Sequence, residues 1–143
     1  MGDYINTGVY IRKLWDSLRY NLEIQLREIG YNEITPTHGW IFYNTEDSGS
    51  RITELAAKAK ITKQSMSVLM TQLESSGYVK RTPDPNDKRA WLFVLTAKGR
   101  KVKSAGQQIN FAFEEQWKSK LGENDYSLLR KLLSKLCEDE NRT

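Results

Sequence analysis

The stretch that decides the fold is residues 53–95, TELAAKAKITKQSMSVLMTQLESSGYVKRTPDPNDKRAWLFVL. It predicts two short helices joined by a tight turn. Thr53 can cap the first helix, Thr62 can cap the second, and Gly77 is expected in the left-handed position that ends a helix. The second helix has one apolar face, because its large apolar residues are spaced helically: Met66, Leu69, Met70 and Leu73. This arrangement is a helix-turn-helix motif.

A hairpin is predicted directly after the second helix. Residues 78–82 and 90–95 are rich in β-branched and aromatic side chains, which favour strands. The intervening residues 83–89, PDPNDKR, contain two prolines that are expected to prevent regular pairing, and their Asp and Asn residues favour a turn. The motif is therefore expected to carry a β-hairpin wing with a charged tip.

Long helices are predicted on both sides of this region. Residues 4–29 carry an apolar stripe at i, i+4 spacing, and Gly30 is expected to end that helix. Thr35 and Pro36 are suited to begin another helix. After the wing, Thr96 can cap a helix that runs to about residue 120, and a last helix covers about residues 123–137.

The expected fold class is thus mainly α with a small β-hairpin wing. Its three parts are an N-terminal dimerisation helix (1–33), a winged helix-turn-helix DNA-binding region (34–95) and C-terminal dimerisation helices (96–143). The apolar stripes at the two ends can cover each other within one chain, or they can pair two chains. A compact DNA-binding region between two unpartnered apolar stripes favours a homodimer, which would bind two half-sites on DNA.

Charge is concentrated in the middle of the chain. Residues 51–103 contain twelve Lys or Arg and four Asp or Glu, whereas the whole chain has a net charge of only +4. A basic segment between mildly acidic ends is typical of a nucleic-acid-binding module, although a solvated basic surface has the same composition.

Composition argues against catalysis and metal binding. The single histidine, His38, cannot build a multi-histidine site within one subunit, and it has no nucleophile motif near it. The single cysteine, Cys137, is expected to act as a small hydrophobic residue near a helix end. We therefore expect no enzyme activity, no cofactor and no metal. No apolar run approaches the roughly 18 residues that span a bilayer, and the start of the chain lacks signal-peptide features, so a cytoplasmic location is expected.

Two sets of side chains are predicted to contact duplex DNA. The polar face of the second helix lacks acidic residues until Glu74, so it can enter the major groove, with Val68 near a thymine methyl group. Its predicted contact residues are Thr62, Lys63, Gln64, Ser65, Ser67, Val68 and Thr71. At the wing tip, Arg89 is expected in the minor groove and Lys88 on a phosphate, with Asp87 orienting Arg89 through a salt bridge.

These residues resemble the MarR (multiple antibiotic resistance regulator) family. The resemblance covers about residues 10–137 and depends on four motifs: ITKQSMS (61–67), LExxGYV (73–79), DPxDxR (84–89) and LTxxG (95–99). It implies a homodimer whose first helix and last two helices form the interface, with recognition helices in successive major grooves of a pseudo-palindrome. It also implies repression of transcription and release from DNA by a small aromatic ligand.

The chain departs from the family pattern at two positions that matter here. Lys60 stands where the turn usually has glycine, so it must adopt an awkward backbone conformation or shift the turn. Val68 stands where the recognition helix often has arginine, which puts any inherited base preference in doubt. Aromatic and histidine side chains are expected either in the core or in the wall of an effector pocket: Trp15, His38, Trp40 and Tyr43.

Two alternatives share this fold. An effector-independent architectural DNA-binding protein would have the same charge, but it would prefer an operator over random DNA only weakly. A winged-helix protein-interaction module would tolerate loss of Lys63, Gln64 and Arg89. The net charge of residues 51–103 argues against this second alternative.

Overall fold

Capping residues and left-handed turns set the bounds of most helices in the computed structural model, which describes residues 2–140 and their side chains as far as residue 138. The elements are α1 (Thr7–Glu28), α2 (Pro36–Asn44), α3 (Ile52–Ala59), α4 (Lys63–Ser75), β1 (Val79–Asp84), β2 (Asp87–Leu95), α5 (Ala97–Leu121) and α6 (Glu123–Glu140). The predicted fold class is confirmed. The three-part division stays a prediction, and its outermost residues, 1 and 141–143, lie outside the described residues.

Three threonines cap helices as predicted. The hydroxyl oxygens of Thr35, Thr62 and Thr96 accept hydrogen bonds from the main-chain N–H three residues on, at 3.4, 3.1 and 3.1 Å. Gly30 and Gly77 follow α1 and α4 with φ angles of 98° and 81°, the left-handed conformation that glycine adopts without steric cost.

Two helix starts differ from the predictions. α1 begins at Thr7 rather than at residue 4, because the Asn6 side chain caps it by accepting from the N–H of Val9. Thr53 is not the cap of α3, because that helix begins at Ile52 with Arg51 in the N-cap position. The Arg51 side chain is directed instead to the wing.

The turn of the helix-turn-helix is kept in place despite Lys60. Lys60 has φ 56° and ψ 41°, the left-handed conformation that glycine usually supplies. Its N–H bonds the carbonyl of Ala57 at 3.2 Å, and the N–H of Ile61 bonds that of Ala56 at 3.1 Å. These bonds close α3 and offset a backbone cost of about 1 kcal/mol.

The wing strands are longer than predicted. β1 continues to Asp84 and β2 begins at Asp87, so the turn contains only Pro85 and Asn86. Pro83 pairs opposite Trp91, which a proline can do because β1 is an edge strand. The register breaks between Pro83 and Asp84, so residues 88–90 have no partners in β1. On its other side, β2 forms two main-chain hydrogen bonds of 2.9 Å with Ser50 through Phe93.

Tyr78 lies at the centre of the core, 1% exposed. Its ring meets the edge of Phe42 at 5.9 Å between centroids, and the ammonium of Lys98 lies 4.3 Å from its centroid. Its hydroxyl donates to Glu33. Burial is the largest cause that raises the pKa of Tyr78, and the hydrogen bond to Glu33 is the second. The same hydrogen bond lowers the pKa of Glu33. Tyr78 therefore joins the start of the wing to α2, α5 and the segment before α2.

Two compact units divide within α5, between Gln107 and Gln108. In the first, the apolar stripe of α1 is buried at Leu26 but exposed towards the N-terminus, where Leu14 is 42% exposed. In the second, Glu114 accepts hydrogen bonds from Arg130 and Tyr126. The described side chains of α6 include four exposed leucines: Leu128, Leu132, Leu133 and Leu136. None of the helices described has a stretch both long and apolar enough to cross a membrane.

Gly99 is expected to tolerate no side chain. A Cβ atom there would lie 2.1 Å from the main-chain oxygen of Tyr78, which cannot move without disturbing the wing. Gly99→Ala should lower the free energy of unfolding by about 3 kcal/mol in urea titrations, because of overpacking. The matched control is Gly106→Ala in the same helix, where the nearest atom is 3.8 Å away. That variant should be neutral or slightly stabilised, and equal losses in both variants would contradict the argument.

His38 is expected to make stability depend on pH. It is 6% exposed at the first turn of α2, and burial lowers the pKa of His38 below its ordinary value. The unfolded chain therefore takes up the proton first, so the free energy of unfolding should fall as the pH drops below about 6.5, by at most ~1.4 kcal/mol per pH unit. The fall should stop below the pKa of the folded state.

The matched variant for this measurement is His38→Gln. Glutamine at the third helical position keeps the capping box, in which His38 now accepts from the N–H of Thr35 at 3.1 Å, but it does not titrate. Urea unfolding between pH 5 and 8 should therefore show a shallower pH dependence in this variant. Parallel profiles for the two proteins would exclude His38 as the source. Glu33 contributes only at lower pH, since the hydrogen bond from Tyr78 lowers the pKa of this carboxyl below its ordinary value.

Candidate nucleic-acid interface

The two faces of α4 differ in burial. Met66, Met70 and Leu73 are 0–2% exposed and hold the helix on the core. The opposite face is solvent-accessible and carries four of the predicted contact residues as exposed side chains, with Ser67 half-buried beside them: Lys63, Gln64, Val68 and Thr71. Val68 is 58% exposed, an apolar side chain on a polar surface.

Thr62 and Ser65 have a structural task at the start of α4. The Thr62 hydroxyl accepts from the N–H of Ser65 at 3.1 Å and donates to the Ser65 hydroxyl at 2.9 Å. Both side chains are exposed, and the Ser65 hydroxyl hydrogen is left for another acceptor.

A groove of about 300 Å³ lies between the helix-turn-helix and the wing. We call it the wing groove. Its lining includes Lys63 from α4 and Arg89 from β2, the two cations that the sequence placed in separate elements. Arg51 and Arg81 add two more guanidinium groups, and no acidic side chain is among its lining residues. The structure therefore brings one predicted contact residue of the helix, Lys63, and one of the wing, Arg89, to one cationic groove; the other predicted contact residues are not among its lining residues.

The four cations of the wing groove differ in how they are neutralised. Arg81 pairs with Glu74 at 3.0 Å, and its guanidinium lies 5.4 Å from the Phe93 ring centroid. Arg51 pairs with Asp84. Among the described side chains, neither Lys63 nor Arg89 has an acidic partner within 4 Å. These two side chains are consequently available to an external anion.

The expected salt bridge between Asp87 and Arg89 is not formed. Instead, Asp87 Oδ1 accepts from the main-chain N–H of Arg89 at 3.0 Å, a local bond typical of Asp in turns. The guanidinium of Arg89 is left exposed, and Lys88 beside it is also exposed. The observed partner of Asp87 is thus the backbone of Arg89 and not its side chain. That Asp87 orients the wing stays a prediction.

Several residues of the wing groove were not predicted as contacts, and three of them carry a cation or an exposed aromatic ring. The sequence assigned no role to Arg51, and it placed Arg81 and Trp91 in strands without a role in binding. Strand alternation places Arg81 and Trp91 on one face of the hairpin, because Arg81 lies opposite Phe93 in the ladder and Trp91 stands two residues before Phe93. Nothing local could have revealed Arg51, whose partner is 33 residues away.

The predicted effector-pocket residues lie in different surroundings. His38 is buried at 6% exposure, Trp40 is half-buried, and Trp15 and Tyr43 are 52% and 72% exposed. Tyr43 lines a second groove, of about 390 Å³, whose other side chains are polar or charged. An effector pocket formed by these four residues therefore stays a prediction. In the part of the chain that the structure describes, no group of three or more His, Cys, Asp or Glu side chains is arranged to hold a metal ion.

Comparison with known proteins agrees with this geometry. Residues 32–90 match the model of the MarR family. The transcriptional regulator HosA from Escherichia coli O111:H- is 30% identical over 82 residues, which are 57% of this chain. The matched part spans only 61% of the length of HosA.

Solved structures of similar fold cover nearly the whole chain. FabT from Streptococcus pneumoniae, solved in complex with DNA, is 18% identical with a TM-score of 0.78, covering 94% of this chain and 95% of FabT. The MarR family protein Rv2887 from Mycobacterium tuberculosis, solved with salicylic acid, is 23% identical with a TM-score of 0.72, covering 95% of this chain and 99% of Rv2887. At these identities the likeness shows the fold. The similarity to the MarR family itself is carried by residues 32–90, which match the family model, and by the 82 residues that align with HosA.

Proposed function

We propose that the chain is a sequence-specific regulator of transcription that binds duplex DNA in the cytoplasm as a homodimer and acts as a repressor. The observation that carries the proposal is the wing groove, where Lys63 of α4 and Arg89 of the wing line one acid-free surface. Phosphates and the negative minor groove of DNA are the natural partners of such a surface.

The recognition helix supplies the sequence-reading part of the proposal. Gln64 and Thr71 can hydrogen-bond base edges in the major groove, whereas the exposed Val68 can contact a thymine methyl group. Lys63 and Lys88 act on phosphates, which fix position without reading sequence. Ser65 and Ser67 complete the helix face.

The homodimer is supported by apolar surface that one chain leaves uncovered. Within the first unit, Leu14 and Trp15 of α1 are 42% and 52% exposed. Within the second, Leu132 and Leu136 of α6 are 49% and 62% exposed. Solvent exposure of so many large apolar side chains is unfavourable, and a twofold partner that covers them would also supply the second half-site reader.

A small aromatic ligand is part of the proposal as the effector. Rv2887, which shares the fold, was solved with salicylic acid. The aromatic residues of this chain can surround a planar molecule if a second subunit completes the pocket. Binding would then shift the dimer between a form that fits the operator and one that does not.

Selection of bound duplexes from a random pool, followed by sequencing, tests the function directly. A regulator should enrich a pseudo-palindrome and bind it about 10³-fold or more tightly than random DNA. A preference of tenfold or less would favour the architectural alternative. No DNA binding at physiological salt would favour the protein-interaction module.

Arg89→Ala is expected to weaken binding to the selected duplex by about 1–3 kcal/mol and to leave the oligomeric state unchanged, because Arg89 is exposed at the wing tip. Fluorescence anisotropy measures the first quantity and sedimentation the second. Arg27→Ala is the matched control, since it removes the same charge from α1 outside the wing groove. Equal effects of the two substitutions would remove the wing from the mechanism.

Affinity is also expected to fall steeply with salt. Each phosphate contact should add a slope of about −0.9 to the plot of log K against log salt concentration. Lys63→Ala should make the slope shallower by about one unit, whereas Gln64→Ala should leave the slope unchanged and alter base preference. A flat profile for the unmodified protein would argue against DNA as the partner.

A further inference from the structure

Arg51 and Asp84 form an ion pair that joins the helix-turn-helix to the wing, and we call this pair the tether. Arg51 Nε donates to Asp84 Oδ2 at 2.8 Å, and Nη2 donates to the same oxygen. The Asp84 side chain is only 4% exposed, whereas that of Arg51 is 36% exposed. A buried carboxylate needs such a partner, since leaving it unpaired is strongly unfavourable.

The same carboxylate also organises the wing tip. Asp84 Oδ1 accepts from the N–H of Asn86 at 2.9 Å, within the two-residue turn. The next residue, Asp87, accepts from the main-chain N–H of Arg89 at 3.0 Å. Hydrogen bonds therefore lead from Arg51, the N-cap residue of α3, through Asp84 to Asn86 in the turn. The peptide bond to Asp87 then connects them to the separate hydrogen bond at the main-chain N–H of Arg89.

The strand ladder does not hold the tip by itself. The base of β2 is fixed on both sides, by β1 and by Ser50. The register breaks at Pro83, however, and residues 88–90 have no partners in β1. The tether acts just where regular pairing stops.

We propose that Arg51 is a positioning residue for DNA recognition: through Asp84 it sets where Arg89 stands relative to Lys63 across the wing groove. This inference rests on the proposed function. It differs from the simpler role that the exposure of Arg51 allows, which is a direct contact between its guanidinium and a phosphate.

The first test is Asp84→Asn, because the two roles predict opposite signs. The substitution removes a negative charge beside the groove, so plain electrostatics predicts tighter binding to any DNA. A positioning role predicts about tenfold weaker binding to the selected duplex, with binding to random duplex unchanged or tighter. Glu54→Gln is the matched control, since it removes a carboxylate from the first turn of α3 and leaves the tether intact.

The second test is a double-mutant cycle between Arg51→Gln and Arg89→Ala. If Arg51 acts through Arg89, the double variant should bind no more than about twofold more weakly than Arg89→Ala alone. The salt slope should also decrease by about one unit in total rather than two. Arg51→Lys, which can keep the ion pair, should recover most of the affinity.

Folding is checked separately by hydrogen exchange. Loosening of the tether should speed exchange at the N–H groups of Asn86 and Arg89 and leave those of Met70 and Leu73 in α4 unchanged. If Asp84→Asn loses protection against exchange throughout the chain, this variant is destabilised as a whole. Arg51→Gln and Arg51→Lys, which retain the carboxylate, then test the inference in its place.

Several results would overturn the inference. Tighter binding of Asp84→Asn to the selected duplex would do so. Multiplicative losses in the cycle, each with its own change of salt slope, would instead make Arg51 a direct phosphate contact. Unchanged affinity of Arg51→Gln would show that the tether has no role in binding. If the unmodified protein selects no duplex, the proposed function fails and the inference fails with it, whereas specific binding that survives loss of the tether refutes the inference alone.

Discussion

The buried ring of Tyr78 is the constraint on which the rest of the structure depends. It follows the last turn of α4 immediately, so the N–H of Tyr78 bonds the carbonyl of Leu73 while its own carbonyl accepts from Thr96. The close approach of Gly99 to that carbonyl leaves no room for a side chain. Since Tyr78 contacts the end of α4, the wing and α5, the orientation of α4 is determined by the core packing on its buried side.

This arrangement separates stability from recognition along α4. Met66 and Met70 pack into the core and hold α4 in place. The side chains on the opposite face are therefore not needed for packing, except at the start of the helix, where Thr62 and Ser65 form the cap. Substitutions of these exposed polar side chains should therefore cost little stability, usually within about 0.5 kcal/mol, whatever their effect on the proposed DNA binding. Val68 differs from these polar residues, because its apolar side chain is exposed to solvent.

The wing depends on contacts outside its two strands, because a two-stranded hairpin is only marginally stable by itself. Its base is held by the pairing of Phe93 with Ser50, and Arg81 packs over the Phe93 ring. The tip depends on side-chain carboxylates that accept main-chain N–H groups. The main-chain N–H of Asn86, followed by the Arg51 guanidinium, lowers the pKa of Asp84, so this carboxylate is charged at neutral pH and can bind both partners together.

Sequence by itself determined the features that depend on neighbouring residues: the threonine caps, the glycine stops, the amphipathic α4 and the existence of a hairpin with a cationic tip. Local hydrogen bonds and side-chain periodicity decide these, and both can be read along the chain. Only the tertiary structure decided that the Arg51 side chain pairs with Asp84, that Arg81 and Trp91 line the wing groove, and that Asp87 bonds the backbone of Arg89. These contacts depend on how a helix start and a strand end approach each other, and that distance is set by the packing of the whole core rather than by any nearby residue.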